Sequence, residues 1–439
     1  MLTTLKNALK IKEIRQKLLY TLGMLVIIRL GSQLPAPGIA SGFFQNWFAQ
    51  NGGGDAINFF DAITGGSFLS MSIFALNISP YITSSIIMQL LTIAIPKLEE
   101  MQRDGEDGRK KIVAITRYVT VVLALIQATA MAIGFGRQGY LTDYNALSVI
   151  TAVASLTAGS AFLMWVGERI TENGVGNGIS IVLVINIISR LPEDLKNLYS
   201  QFVAGKAPAT AILAAVIIIA IIVGMVVLVI ILNDGVRKIP VQYAKKVQGR
   251  KMVGGQTSNI PLKVNTAGVI PIIFAQSIMQ MPIMICTFVG YQGGSGVWAH
   301  ILRGLNSSNW CKPGELVYSI GLLVYIVLVI FFAYFYTSIT FNPLMIADNM
   351  KKQGGFIPGI RPGKPTSDYL DKVLNYIVFI GAVGLTIIAV IPYFFNGVFG
   401  ASVSFGGTSL IIIVSVVLET VKQIESQMLV RNYKGFLEG

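Results

Sequence analysis

Long uncharged runs separated by short charged segments dominate the chain from residue 18 onward. Ala211 to Leu232 holds only apolar residues and one glycine. A bilayer core is crossed by about 20 residues of helix, and lipid accepts only backbones that satisfy their own hydrogen bonds. The pattern therefore predicts an all-α polytopic membrane protein with ten spans. Their apolar cores lie at 18–34, 68–95, 118–136, 147–166, 177–189, 210–232, 265–289, 316–336, 373–395 and 408–420. Ten divides into five plus five, which predicts an N-terminal half (1–200, spans 1–5) and a C-terminal half (201–439, spans 6–10). Inverted repeats of this kind recur in membrane transport proteins, although the two halves share no clear sequence identity.

Composition agrees with the pattern. Of 439 residues, 53% are hydrophobic and 13% charged, and the mean hydropathy is +0.66. Soluble proteins carry about 25% charged residues, and one core of this size could not bury so much apolar surface. The N-terminus is basic and then apolar, like a secretory leader. It carries Arg29, lacks a small-residue cleavage site and precedes many further spans, so it reads as a retained first span.

The net charge of +13 is explained by where the charges sit. With the N-terminus inside, the outside loops hold only Arg137, Arg190, Lys196, Lys206, Arg303 and Lys312, and Arg29 lies in a span. Of 34 Lys and Arg, 27 are then inside. That asymmetry orients a membrane protein, with both termini cytoplasmic here, and needs no nucleic acid. Inside loops run 96–117, 233–263 and 341–372. The last two are long, basic and rich in Gly or Pro, so they should project as docking surfaces. They carry Arg237, Lys238, Lys245, Lys246, Arg250, Lys251 and Lys263, then Arg361. For any one lysine, contact with anionic lipid is the competing role.

Catalytic chemistry is hard to place. His300 is the only histidine, and the two cysteines, Cys286 and Cys311, sit in an apolar run and a polar loop. Neither a disulfide framework nor a metal site nor a cofactor is expected. Glu172 to Gly178 has glycines spaced like a phosphate loop, but no strand precedes it. Backbone flexibility and close helix packing explain it better. Apart from Arg29 and Glu419, each near the end of its span, the span cores lack charged groups, the usual mark of an ion-coupled pump. Gln89, Asn186, Gln276 and Gln280 suit interhelical hydrogen bonds.

Ala62 to Pro96 is 35 residues without a charge, too long for one span. Gly65-Gly66, Asn77 and Pro80 interrupt it. A short half-helix followed by a full span is expected, with a re-entrant loop or a proline kink as alternatives. Inside a membrane, broken helices face protein or a water-filled cavity.

Five segments, in order along nearly the whole chain, resemble the SecY family, the central subunits of the Sec protein translocon. They are Gly65 to Ile82, Trp165 to Ser180, Pro261 to Pro271, Phe356 to Gly363 and Phe405 to Ser409. The resemblance, closest to bacterial members, implies a clamshell of two pseudo-symmetric inverted halves around a central pore in the plasma membrane. It implies a pore ring of Ile78, Ile82, Leu183, Ile273 and Ile412. A plug over about 57–70, including Phe60, Ile63, Gly65, Gly66 and Phe68, would close it from outside. Leu183 stands where isoleucine is frequent. Asn77 stands where glycine is frequent, which implies a stiffer hinge. A lateral gate between spans 2–3 and 7–8 would carry a polar cluster of Gln89, Asn177 and Thr408. Implied partners are SecE and SecG, the motor ATPase SecA, the ribosome, an unfolded preprotein or signal peptide, and membrane lipids. Nucleic acid would be met only as ribosomal RNA. The chain lacks a Walker motif, so ATP hydrolysis would lie elsewhere. A ten-span solute transporter and a lipid-binding scaffold are the rival readings.

Overall fold

The computed structural model describes residues 8–39, 61, 64–137, 141, 144–243, 246–248, 251–253, 257–289, 296–314, 316–399 and 407–437. Thirteen helices organise the functional site: α1 (Lys12–Ser32), α2 (Ser79–Ala94), α3 (Pro96–Arg103), α4 (Glu106–Arg137), α5 (Ala146–Asn173), α6 (Gly178–Phe202), α7 (Pro208–Asp234), α8 (Ile270–Val289), α9 (Val297–Leu305), α10 (Ile320–Thr340), α11 (Pro343–Lys352), α12 (Lys364–Phe399) and α13 (Gly407–Leu437). Proline opens α3, α7 and α11, where its missing N–H costs nothing. Asn177 caps α6 by accepting from the Ile179 and Ser180 N–H groups.

Each predicted apolar core overlaps a helix, yet fewer helices qualify as spans by length and apolarity. Among the described residues five do: Glu106–Arg137, Ala146–Asn173, Pro208–Asp234, Val317–Lys352 and Lys364–Val398. A sixth is counted if Ser79–Ala94 and Pro96–Gln102, bent by 106°, are taken together. Charge explains two of the others. α1 begins with Lys12, Glu13, Arg15 and Lys17, and α6 runs past its apolar core through Arg190, Glu193, Asp194 and Lys196.

α4 packs between α2 and α5, and α5 packs on α1 and α6. Later in the chain α10 packs on α8 and α12, while α7 packs on α12 and α13. The first and second parts meet along two seams, α4 against α8, and α6 against α7 and α13. α7 is apolar on every face and buries little beyond Met225 and Val229, as expected of a helix bathed in lipid. A Cβ on Gly178 would overlap the Gly167 carbonyl, so α5 and α6 touch backbone to backbone there. Close packing is thus the role of the last glycine in Glu172–Gly178.

One expectation is corrected. The fold is not purely helical. Inside loop 233–263 forms β1 (Val236–Tyr243), β2 (Lys246–Gln248), β3 (Lys251–Val253) and β4 (Thr257–Lys263). Loop 341–372 adds β5 (Gly355–Phe356), giving a three-stranded sheet in the order β4-β1-β5. The alternation that drives it is visible in β1, where Ile239 and Val241 point inward between exposed neighbours. The half-helix expected before span 2 lies largely outside the described residues: Asp61 and Thr64 are helical, residues 65–78 form successive turns, and α2 starts only at Ser79. Glycines at 65 and 66 and left-handed residues at Met71 and Asn77 break the helix repeatedly.

Candidate functional site

Four of the five proposed ring residues come together. Leu183 and Ile412 are buried in one cluster with Val184 and Ile187, and Ile82 and Ile273 pack against it half-buried. These side chains arrive from α6, α13, α2 and α8, so both parts of the chain contribute. Ile78 lies in a neighbouring cluster with Ile28, Phe74, Leu163 and Val182. Ile82 touches both clusters, as a residue one helical turn on from Ile78 should.

Phe60 and Ile63 of the proposed plug lie outside the described residues. Phe68 is buried with Met71, Ala75, Met131 and Leu156, edge-on to Phe135 at 6.5 Å. Gly65 has φ +67°, and a Cβ there would come within 2.7 Å of Arg29 Nη1 and 2.9 Å of the Asn186 carbonyl. Only glycine fits that turn. The Arg29 guanidinium donates to the Gly65 carbonyl at 3.3 Å and to Asn186 Oδ1 at 3.1 Å. Asn186 Nδ2 donates onward to Asn77 Oδ1 at 3.2 Å, and Ser160 Oγ donates to the Asn77 carbonyl at 2.9 Å. Arg29, Asn186 and Asn77 thus link α1, α6 and the start of α2 through the plug segment. Asp61 and Arg190 escape the sequence reading. They flank the apolar runs, and only the fold brings them together at 2.6 Å.

The proposed gate seam is present as packing: α4 lies on α8, and Ile86 of α2 packs against the cluster of Phe274, Ala275 and Met279. Asn177 and Thr408 of the proposed polar gate cluster do not meet. Asn177 is exposed and occupied as the α6 cap, while its neighbour Gly176 packs against Thr420. Thr408 is buried twelve residues earlier on α13, about 18 Å away along the helix. Sequence proximity to two separate motifs could not reveal that Asn177 and Thr408 meet α13 at different depths.

Three of the proposed docking residues share one platform. Ile239, Val241, Leu262, Met350, Ile357, Leu370 and Ile377 form a core uniting both inside loops with the foot of α12. Arg237, Lys238 and Arg361 stand exposed around it. Lys246 lies in β2; Lys245 and Arg250 lie outside the described residues. Arg361 sits between Gly359 and Gly363, both at positive φ, and its carbonyl accepts from Thr366 Oγ1. The described residues hold no group of His, Cys, Asp and Glu able to bind a metal.

A SecY family model matches residues 72–421. The chain is 43% identical over 451 residues to the protein translocase subunit SecY of Streptomyces scabiei, covering all of both chains. It is 42% identical over 458 residues to that of Mycobacterium bovis, again over both full lengths. Among solved structures, a protein-conducting channel aligns with a TM-score of 0.62 at 17% identity, covering 94% of this chain and 93% of that one. A SecY protein whose plug domain stabilises the closed state aligns at 0.61 and 16%, covering 94% and 92%. The idle yeast Ssh1 complex on the 80S ribosome aligns at 0.62 and 16%, covering 95% and 89%.

Asn77 holds φ +50° and a buried hydrogen bond, so its replacement is informative. Asn77→Ala loses the bond and strains the left-handed backbone, a combined cost of about 2–4 kcal/mol. Asn77→Gly keeps the backbone relaxed and costs less. Thermal unfolding of the purified protein should rank wild type above Asn77→Gly above Asn77→Ala; equal melting of the two variants would contradict the strain argument.

Proposed function

The chain belongs to the SecY family, and from that premise we propose that it is the channel through which unfolded polypeptides cross a bacterial plasma membrane. It is a multi-span, mostly helical membrane protein and not an enzyme. The observation that carries the proposal is the convergence of Ile82, Leu183, Ile273 and Ile412 from four helices into one aliphatic cluster. Aliphatic side chains offer a passing chain no charge and no hydrogen bond, and a narrow apolar constriction excludes water when empty. Ile78 lines the plug side of that ring. The plug, about 57–70, would close the ring from the outer side; of its described residues Phe68 packs on Met131 and Phe135 of α4 and Leu156 of α5.

In this reading ten helices span the membrane as two inverted halves, 1–200 and 201–439, hinged like a clamshell. Parting the seam between α4 and α8 would expose the pore to lipid. Partitioning then decides the fate of each segment. Leu gains about 0.3–0.6 kcal/mol in lipid and a central Lys or Asp costs about 2.5–3.5. A Leu-rich segment leaves sideways, and a polar one continues across. The driving force comes from partners: SecA or a translating ribosome on the platform of Arg237, Lys238 and Arg361, with SecE and SecG alongside. Both termini face the cytoplasm.

Reconstitution into vesicles with SecE, SecG, SecA and ATP should give import of an unfolded preprotein, whereas SecA-independent uptake of a small solute would favour a transporter. In the same system Ile82→Ser with Ile273→Ser should raise the resting ion conductance several-fold with little loss of thermal stability, because polar groups favour wetting. Unchanged conductance would remove the seal from these residues.

The platform has its own test. Arg361 is exposed and its side chain supports no fold contact described above. Arg361→Glu should cut SecA-driven transport about tenfold or more through charge repulsion at the docking surface, while the melting temperature stays put. Full SecA binding and transport at physiological salt would refute the assignment.

A further inference from the structure

We propose that Asp61 and Arg190 form the latch that holds the plug shut, and that Glu193 keeps Arg190 paired once the plug has left. The inference rests on the channel reading above and adds positioning residues to it.

Asp61 is fully buried and organises the plug's own turn. Its Oδ1 accepts from the Leu69 N–H at 2.8 Å. Its carbonyl accepts from the Gly66 N–H at 2.9 Å and from Thr64 Oγ1 at 3.1 Å. Its other carboxylate oxygen, Oδ2, lies 2.6 Å from Nη1 of Arg190 on α6. The same nitrogen is 3.4 Å from Glu193 Oε2, one turn further along α6. The two acceptors differ sharply in setting, since the Asp61 side chain is 0% exposed and that of Glu193 60%.

One cation is therefore shared between a carboxylate that belongs to the plug and one that belongs to the wall. A buried charge that loses its only partner is strongly disfavoured, which would make a simple plug–wall ion pair a trap. Here Arg190 retains Glu193 when Asp61 departs. The hold is also not a bidentate fork. Arg190 Nε has no hydrogen-bond partner among the described residues, and Oδ2 meets Nη1 at short range without hydrogen-bond alignment. Such a contact is mainly coulombic and is released more easily than two aligned bonds. The neighbouring contact of the Arg29 cation with the Gly65 carbonyl adds a second hold on the same turn.

The test uses the reconstituted full complex, reading resting ion conductance and preprotein transport together. Asp61→Asn keeps an oxygen for the Leu69 N–H and removes only the charge. Asp61→Asn and Arg190→Gln should each raise resting conductance about tenfold or more while preprotein transport persists, which shows that the channel is folded. The double variant should leak no more than the worse single, because the two act through one pair. Arg190→Lys should keep most of the seal. Glu193→Gln should leave the seal intact and slow transport several-fold, an effect opposite in kind to that of Arg190→Gln.

Deletion of 57–70 is the comparator. If the deletion leaks and the single variants do not, or if their effects multiply, the latch is refuted and the plug stands. If the deletion itself does not leak, the plug reading fails and the latch with it. Leak from Glu193→Gln, or unimpaired transport, removes Glu193 from the device.

Discussion

Residues 65–78 pass through the interior of a membrane protein without forming a helix, so their polar groups need partners that lipid cannot supply. The arrangement of the centre follows from that need. Ala36 and Ile73 exchange backbone bonds with Met71 and Leu34 at 2.9 and 3.0 Å, tying the end of α1 to the turns. Arg29 covers the Gly65 carbonyl, and Asn77 is held between Ser160 and Asn186. Each partner must sit at a fixed depth on its own helix. The depths of α1, α5 and α6 are thereby referred to one irregular segment, and the aliphatic cluster around Leu183 forms beside it.

The amount that could be read from the sequence follows the same division. Apolar runs mark helices because lipid imposes one rule on every residue of a run. Helix placement was therefore legible, as in span 5, expected from 177 and found as a helix from Gly178. Irregular and charged segments answer to partners distant in the chain. Asp61 and Arg190 lie 129 positions apart and look like ordinary flanking charges until the fold joins them. The three-stranded sheet was masked by the basic residues along β1, although Ile239 and Val241 already alternate with exposed positions. Asn177 and Thr408 were joined in one cluster for the converse reason: position in a motif says nothing about the depth at which a residue meets a neighbouring helix.

The pairing of β1 with β5 changes what the inside loops are. Read separately, they are two flexible basic projections. Joined by the Gln242–Phe356 and Tyr243–Gly355 pairs and a shared apolar core, they form one body with charges fixed in relative position. Fixed charges recognise a shaped partner better than mobile ones, because less freedom is lost on contact.

That body also meets three helices of the membrane part at one junction. β1 emerges from α7 at Gly235, β4 enters the approach to α8 at Val264, and the Val264 N–H donates to the Gly235 carbonyl at 2.8 Å. The Val264 carbonyl lies so close to Gly381 that a side chain there would collide, which brings α12 to the same point. A tug on the platform reaches α7, α8 and α12 together.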